Sequence, residues 1–209
     1  MKKETMEILE KTISNHPALT ECREEIVRAY DILMSCYKSG GMVLICGNGG
    51  SAADSEHIVG EFMKGFLKKR PLPALDKDLI SDENLSENMQ GALPAVSLVS
   101  QTSIATAFMN DVEPDMIFAQ QVYGYKNEKN VLIAITTSGN SKNIINAVKI
   151  ANAFKMNSIG MTGEAGGELK DICTVTIKAP AKETYRVQEY HLPIYHALCA
   201  MVESEFFEV

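Results

Sequence analysis

The sequence contains no run of eighteen apolar residues, so it encodes no membrane-spanning helix. It has no excess of positive charge. Its 20 Lys and Arg stand against 27 Asp and Glu, a formal net charge of -7, which argues against a nucleic-acid binder held by phosphate contacts. The small basic cluster Lys68-Lys69-Arg70 reads as a solvated surface turn. There is no Cys-x-x-Cys pair either. The five cysteines, Cys22, Cys36, Cys46, Cys173 and Cys199, are odd in number and irregular in spacing, so neither a zinc ribbon nor a thioredoxin-type site is encoded. Reduced, buried thiols in a cytoplasmic protein are the expectation. A reactive role stays open for Cys46, which lies just before a glycine-rich loop. The N-terminus, MKKETMEILEK, carries charges where a secretory signal needs its apolar stretch. What remains is an ordinary globular composition, 45% apolar and 22% charged over 209 residues. That length buries a large core without disulfides, and a single domain over 1–209 is expected.

The first forty residues read as a helical extension. Met6, Leu9 and Ile13 recur at helical spacing, His16-Pro17 breaks the pattern, and Ile26, Tyr30, Leu33 and Cys36 resume it up to Gly40-Gly41. From Met42 the grammar changes. Short apolar runs appear at 42–46, 95–99, 131–135, 157–161 and 173–177, most of them continuous rather than alternating, as for strands covered on both faces. Helical stretches such as 141–154 lie between most of them. The fold class is therefore α/β, a parallel five-stranded sheet with helices on both faces, a helical hairpin before it and a long C-terminal helix after it. The stretch 73–94, with five acidic residues between prolines, is an excursion with a short helix around 81–89. It is either an ordered decoration or a lid or interface element. The apolar faces of the terminal helices (Met6, Leu9, Ile13, Leu198, Met201, Val202) could pack on the chain's own sheet or on another copy.

In parallel sheets ligands bind beyond the carboxyl ends of the strands. After the first strand comes Gly47-Asn48-Gly49-Gly50-Ser51. Three glycines in four positions let backbone approach a ligand, and Ser51 sits where a helix starts and free N–H groups attract anions. It is neither a P-loop, since no Gly-Lys-Ser/Thr follows, nor Gly-x-Gly-x-x-Gly, since Ala52 holds the last position. After the third strand comes Thr136-Thr137-Ser138-Gly139-Asn140-Ser141, four hydroxyls in six residues, a cradle for a phosphate monoester. His57 and Glu61 lie four apart on one helix face, and Gln188, His191 and His196 lie on a last helical segment.

These residues together, GNGGSAADSEH with Glu61, ITTSGNSKNI and RVQEYH with His196, resemble the SIS (sugar isomerase) domain family, and within it the phosphoheptose (sedoheptulose-7-phosphate) isomerases. The resemblance covers nearly the whole chain. It implies a parallel α/β sandwich that assembles as a homotetramer with active sites between subunits. It implies phosphosugar contacts at Asn48, Gly49, Gly50, Ser51, Thr136, Thr137, Ser138 and Ser141, with an Asn-Asp pair at Asn110-Asp111. It implies metal ligands, for zinc, at His57, Glu61, Gln188 and His196, with Glu61 and His196 as the acid–base pair and Glu61 and Gln188 also on the substrate. The implied reaction converts sedoheptulose 7-phosphate to D-glycero-D-manno-heptose 7-phosphate through an enediol. Two alternatives stand beside it. One is a non-catalytic phosphosugar-binding SIS protein of the kind that associates with a replication initiator; the other is an isomerase of a different phosphosugar. The presence of Glu61, Gln188 and His196 weighs against the first.

Several positions depart from the family pattern. Tyr185 stands where an Asp is common, Thr136 replaces a Ser, and the 73–94 stretch is longer than usual. Pro193 is expected to interrupt the last helix and free the Glu189 carbonyl. Gln188 and His196, eight residues apart, span about 12 Å of helix, too far for one ion. Either neighbouring subunits share the site, the preferred reading, or the helix breaks at Pro193.

Overall fold

The computed structural model describes residues 1–208. Two helices, α1 (Lys3–Asn15) and α2 (Arg23–Lys38), joined by a 3-10 turn at Pro17–Cys22, precede the first strand. Then follow β1 (Val43–Gly47), α3 (Gly50–Met63), α4 (Ala74–Leu79), α5 (Glu83–Asn88), β2 (Ala95–Ser97) and α6 (Thr102–Asp111). The second half holds α7 (Ile117–Gly124), β3 (Val131–Ile135), α8 (Lys142–Ala153), β4 (Asn157–Thr162), α9 (Leu169–Ile172), β5 (Val175–Lys178) and α10 (Thr184–Phe206). The five strands form one sheet in the order β2-β1-β3-β4-β5, and every pairing is parallel.

The continuous apolar runs have their expected cause. All five residues of β1 and of β3 are buried, because both sheet faces are covered. Val43 and Ile45 point into one core with Ile58 and Phe62 of α3, α2 and α10. Leu44 and Cys46 point into the other, with Val122 of α7 and Ile144 and Val148 of α8. Helices α3 and α8 thus leave the neighbouring strands β1 and β3 toward opposite faces. The carboxyl ends of β1 and β3 form the switch point where such sheets bind ligands.

Two of the five runs are shortened. β2 stops at Ser97, and Cys173 closes α9 by donating its N–H to Leu169 O, so β5 begins only at Val175. The apolar faces of the terminal helices turn inward. Leu9, Leu198, Met201 and Val202 are buried against their own chain, while Ile13 is half-buried and Met6 exposed. Helix α1 lies along α10. Its start is pinned by the Glu205 carboxylate, which accepts from the Lys2 N–H at 2.6 Å and from the hydroxyls of Thr5 at 2.7 Å and Tyr30 at 3.0 Å. The 73–94 segment holds two short helices rather than one, the second near the expected place, and it turns Leu75, Leu79, Leu85 and Met89 to solvent.

Two expectations are corrected. Pro193 does not interrupt α10, which runs through it from Thr184 to Phe206. Twelve of its residues are buried against the body of the chain, and that packing holds the helix straight through the one missing N–H. Arg70 is not a solvated surface residue but is 1% exposed. Its Nε donates to the buried Glu203 carboxylate at 2.8 Å, and its Nη1 and Nη2 donate to the carbonyls of Phe62 at 2.6 Å and Glu61 at 2.9 Å. The guanidinium fork caps the carboxyl end of α3, whose last carbonyls lack helical partners. The same Glu203 carboxylate accepts the N–H groups of Phe66, Leu67 and Lys68.

Candidate active site

Three helix N-termini converge above the switch point. Asn48 and Gly49 follow β1, and Gly49 turns the chain at φ +57°, where a side chain would be strained, so that α3 begins at Gly50. A Cβ on Gly50 would lie 2.5 Å from the side-chain nitrogen of Gln188, so any larger residue there would displace the Gln188 amide from its place against the start of α3. Ser51 is buried just inside α3. After β3, Thr136 Oγ1 lies 2.8 Å from Ser141 Oγ and 3.4 Å from Ser138 Oγ, and Ser138 Oγ accepts the Asn140 N–H at 3.1 Å. The side-chain amides of Asn48 and Asn143 donate to each other at 3.0 and 2.9 Å and tie the two loops together.

The result is a cavity of about 280 Å³ lined by Asn48, Gly49, Gly50, Ser51, Thr136, Thr137, Ser138, Ser141, Thr184 and Gln188. No lysine or arginine lines it. Its positive potential comes from the N-termini of α3, α8 and α10, each worth roughly half a charge. Every loop residue expected to contact phosphate is present. Thr184 was not foreseen. It is the first residue of α10 and repeats the hydroxyl-at-a-helix-start signal already used for Ser141, which would have marked it.

Two turns along the same helices lies a second cluster. His57 and Glu61 of α3 and His196 of α10 place one nitrogen or oxygen each within 4.8 Å of one another. His57 Nε2 stands 3.1 Å from Glu61 Oε1, and the rings of His57 and His196 meet edge to face at 5.0 Å. Lys64 Nζ lies 3.6 Å from Glu61 Oε2. Among the described residues, Glu61 Oε2 and His196 Nε2 are buried without a hydrogen-bond partner. Burial pushes the His196 imidazole below its usual range, helped by His57 and opposed by Glu61. Two imidazoles and a carboxylate facing one point, two of them with buried atoms that lack a hydrogen-bond partner, fit a divalent cation.

Gln188 does not join this cluster from its own chain; it sits at Gly50, on the phosphate cradle. Glu61 and His196, however, meet within one chain, so their pairing needs neither a second copy nor a break at Pro193. Asn110 and Asp111 do not line the cradle. They end α6, are exposed, and bond each other at 2.7 Å. Tyr185 is exposed and Cys46 is fully buried, its thiol pushed up by burial, which removes a reactive role. His191 is also buried, with Nε2 against Thr162 O at 3.2 Å.

The chain matches two family models described as the SIS domain, over residues 11–91 and 102–204. It is 41% identical over 184 residues to the phosphoheptose isomerase of Clostridium acetobutylicum, covering 88% of this chain and 84% of that protein. It is 34% identical over 203 residues to phosphoheptose isomerase 1 of Campylobacter jejuni, covering 95% and 98%. Among solved structures, phosphoheptose isomerase from Neisseria gonorrhoeae superposes with a TM-score of 0.75 at 32% identity, covering 93% of this chain and 94% of that one. The corresponding enzyme from Francisella tularensis superposes with a TM-score of 0.73 at 28% identity, covering 97% and 99%. With a hydroxyl-lined cradle at the switch point and the His57–Glu61–His196 cluster on the same two helices, the chain belongs to the SIS domain family, among its phosphoheptose isomerases.

Proposed function

We propose that this chain is an aldose–ketose isomerase that interconverts sedoheptulose 7-phosphate and D-glycero-D-manno-heptose 7-phosphate. One observation carries the reading. The cradle and the Glu61–His196 pair are built on the same two helices, His196 about two turns beyond Gln188 and Glu61 about three turns beyond Gly50, roughly 12 and 16 Å of helix. An open-chain sugar with its phosphate in the cradle therefore brings C1 and C2 to the acid–base pair only if the carbon chain is long. A triose phosphate anchored in the cradle falls short.

The chemistry follows from the two ends. Phosphate binding supplies remote binding energy that orients the reacting carbons. At the other end one of Glu61 and His196 takes a proton from carbon while the other protonates the carbonyl oxygen, giving the enediol; the first then returns its proton to the neighbouring carbon while the second takes the proton of the other enediol hydroxyl, which becomes the new carbonyl and restores both groups. Glu61 suits the base, since its Oε2 is buried with no hydrogen-bond partner and only Lys64 Nζ nearby at 3.6 Å, and His196 suits the partner. His57, Glu61 and His196 would hold a divalent ion, zinc in this proposal, which when bound supplies Lewis acidity at the carbonyl end. The meeting of Glu61 and His196 in one chain favours the enzyme over the binding-only alternative.

We also propose a cytoplasmic homotetramer with sites completed between copies. Asn110 and Asp111, exposed and absent from the lining of their own chain's cradle, are the residues that a neighbour would receive. Exposed apolar side chains beside them, Met109, Val112 and Met116, favour such contact. The direct test is incubation with sedoheptulose 7-phosphate followed by detection of the aldose. Glu61→Gln keeps the shape and removes the base, and turnover falls on the order of 100-fold or more. Near-native turnover by Glu61→Gln on this and every other phosphosugar would refute the mechanism.

A further inference from the structure

His57 is the most exposed member of the acid–base cluster, with 44% of its side chain open to solvent. A side chain so open needs an anchor, and it has one on the side away from Glu61. Its Nδ1 lies 2.9 Å from the Tyr195 hydroxyl, and that hydroxyl lies 3.3 Å from Asp54 Oδ1. Asp54 is one turn before His57 on α3, so carboxylate and ring share a face. Tyr195 comes from α10, adjacent to His196. We propose that Tyr195 is a positioning residue of this site: its hydroxyl joins the Asp54 carboxylate to the Nδ1–H of His57, and so aims the His57 Nε2 lone pair at Glu61 and His196. The proposal rests on the reading of His57 as a metal ligand.

Proton counting assigns the direction. A tyrosine hydroxyl has one proton to give, and an ionised carboxylate can only accept. If Tyr195 gave its proton to Nδ1, Asp54 Oδ1 would face an oxygen lone pair at 3.3 Å, while Asp54 Oδ2 is already buried without a partner among the described residues. If Tyr195 gives it to Asp54, the hydroxyl oxygen accepts from Nδ1–H at 2.9 Å and all three facing atoms are satisfied. The second arrangement leaves Nε2 without an obligatory proton, 3.1 Å from Glu61 Oε1. Two acceptors at that distance need a positive charge beside them, either a proton on Nε2 or a metal ion, and the metal reading takes the second. Ligating imidazoles take their orientation from the partner of the other ring nitrogen; here that partner is a phenol backed by a carboxylate. The Tyr195 ring itself packs edge to face on His57 at 5.5 Å and on His196 at 4.9 Å. Phenylalanine preserves both contacts and removes only the hydroxyl.

The experiment compares full-length native protein, Tyr195→Phe and Asp54→Asn after metal removal. Zinc is titrated calorimetrically, and the ring nitrogens of the four histidines are read by 15N NMR, with His57 assigned by loss of its signals in His57→Gln. The expected result is protonated Nδ1 on His57 in the native protein, unprotonated Nδ1 in Tyr195→Phe, and about 10–100-fold weaker zinc binding by Tyr195→Phe. Asp54→Asn should lie between the two. Inorganic phosphate affinity and melting temperature, which a loss of packing would change, should stay native. Zinc affinity of Tyr195→Phe within twofold of native would overturn the proposal, as would an unprotonated Nδ1 in the native protein. If the native protein takes up no zinc, the metal reading itself fails, and the Nδ1 state alone then supports or overturns the Tyr195 link.

Discussion

The Arg70–Glu203 pair offers the sharpest test of how the fold holds its catalytic end. Both side chains are 1% exposed, and the guanidinium lies over the Phe207 ring at 4.7 Å from its centroid. Arg70→Met keeps most of the volume and removes the charge and three donated hydrogen bonds. It strands the Glu203 carboxylate in the interior, it leaves the Glu61 carbonyl without its guanidinium donor, and it leaves the Phe62 carbonyl with the Leu93 N–H alone. Breaking a buried pair from one side costs about 3–5 kcal/mol. Against a typical total of about 5–15 kcal/mol, that is a large share. For a chain of this length 1 kcal/mol shifts the melting temperature by about 2–4 °C, so a fall of roughly 6–20 °C is expected. Thermal unfolding followed by circular dichroism, at fixed protomer concentration because assembly shifts the midpoint, reads it directly. A second variant separates a clamp from a plain ion pair. Arg70→Met with Glu203→Leu removes both charges, which for a simple buried pair restores stability. Here the carboxylate also accepts three backbone N–H groups, so the double variant stays well below native. A midpoint for Arg70→Met within about 2 °C of native, or full recovery in the double variant, would refute the clamp.

Ser138→Ala with Ser141→Ala should weaken phosphosugar binding, each lost bond to a charged group costing about 1.5–3 kcal/mol, and calorimetry showing unchanged affinity would move the phosphate elsewhere. Mixing Glu61→Gln protein with Asp111→Ala protein under subunit exchange should restore activity if Asp111 serves a neighbouring copy; continued inactivity would return Asp111 to its own chain or remove it from the site. Burial pushes His191 from an ordinary 6.5 down to about 4, so the unfolded chain takes up its proton first. Its contribution to stability is complete above pH 6.5 and lost as pH falls toward 4, and His191→Gln should flatten that part of the stability–pH curve.

What could be read from the sequence was whatever depends on order along the chain. The strands β1 and β3 announced themselves as five-residue apolar runs because both faces are covered, and the loops after them had to hold the ligand residues because parallel strands end on one side. What could not be read was whatever depends on an approach from a distant element. Arg70 looks like the end of a basic surface cluster until α10 brings Glu203 to it across 133 residues. Tyr195 looks like one more apolar position on α10 until Asp54 and His57 arrive, since a phenol reads as core or as ligand only through its neighbours. Pro193 misled for a related reason. A proline disrupts an isolated helix, but α10 is buried along most of its length and its packing outweighs one absent bond.

The pairing of α3 with α10 explains why the motif spacings matter. Both helices begin at the cradle, where Gly50 meets Gln188, and they run side by side to the cluster, where His57 meets His196. Gly50 to His57 is seven residues and Gln188 to His196 is eight, two turns in each case, so the contacts at the two ends are in register. A break at Pro193 would rotate His196 away from His57 and Glu61 while leaving Gln188 in place. Continuity of α10 is therefore a condition for chemistry and not only for stability. The same register fixes the distance from phosphate to acid–base pair by backbone geometry rather than by mobile loops. The Arg70 fork holds the far end of α3 just where Glu61 projects from it. On the proposed function, a site arranged in this way would measure its substrate along two helices and select for carbon-chain length before any hydroxyl is recognised.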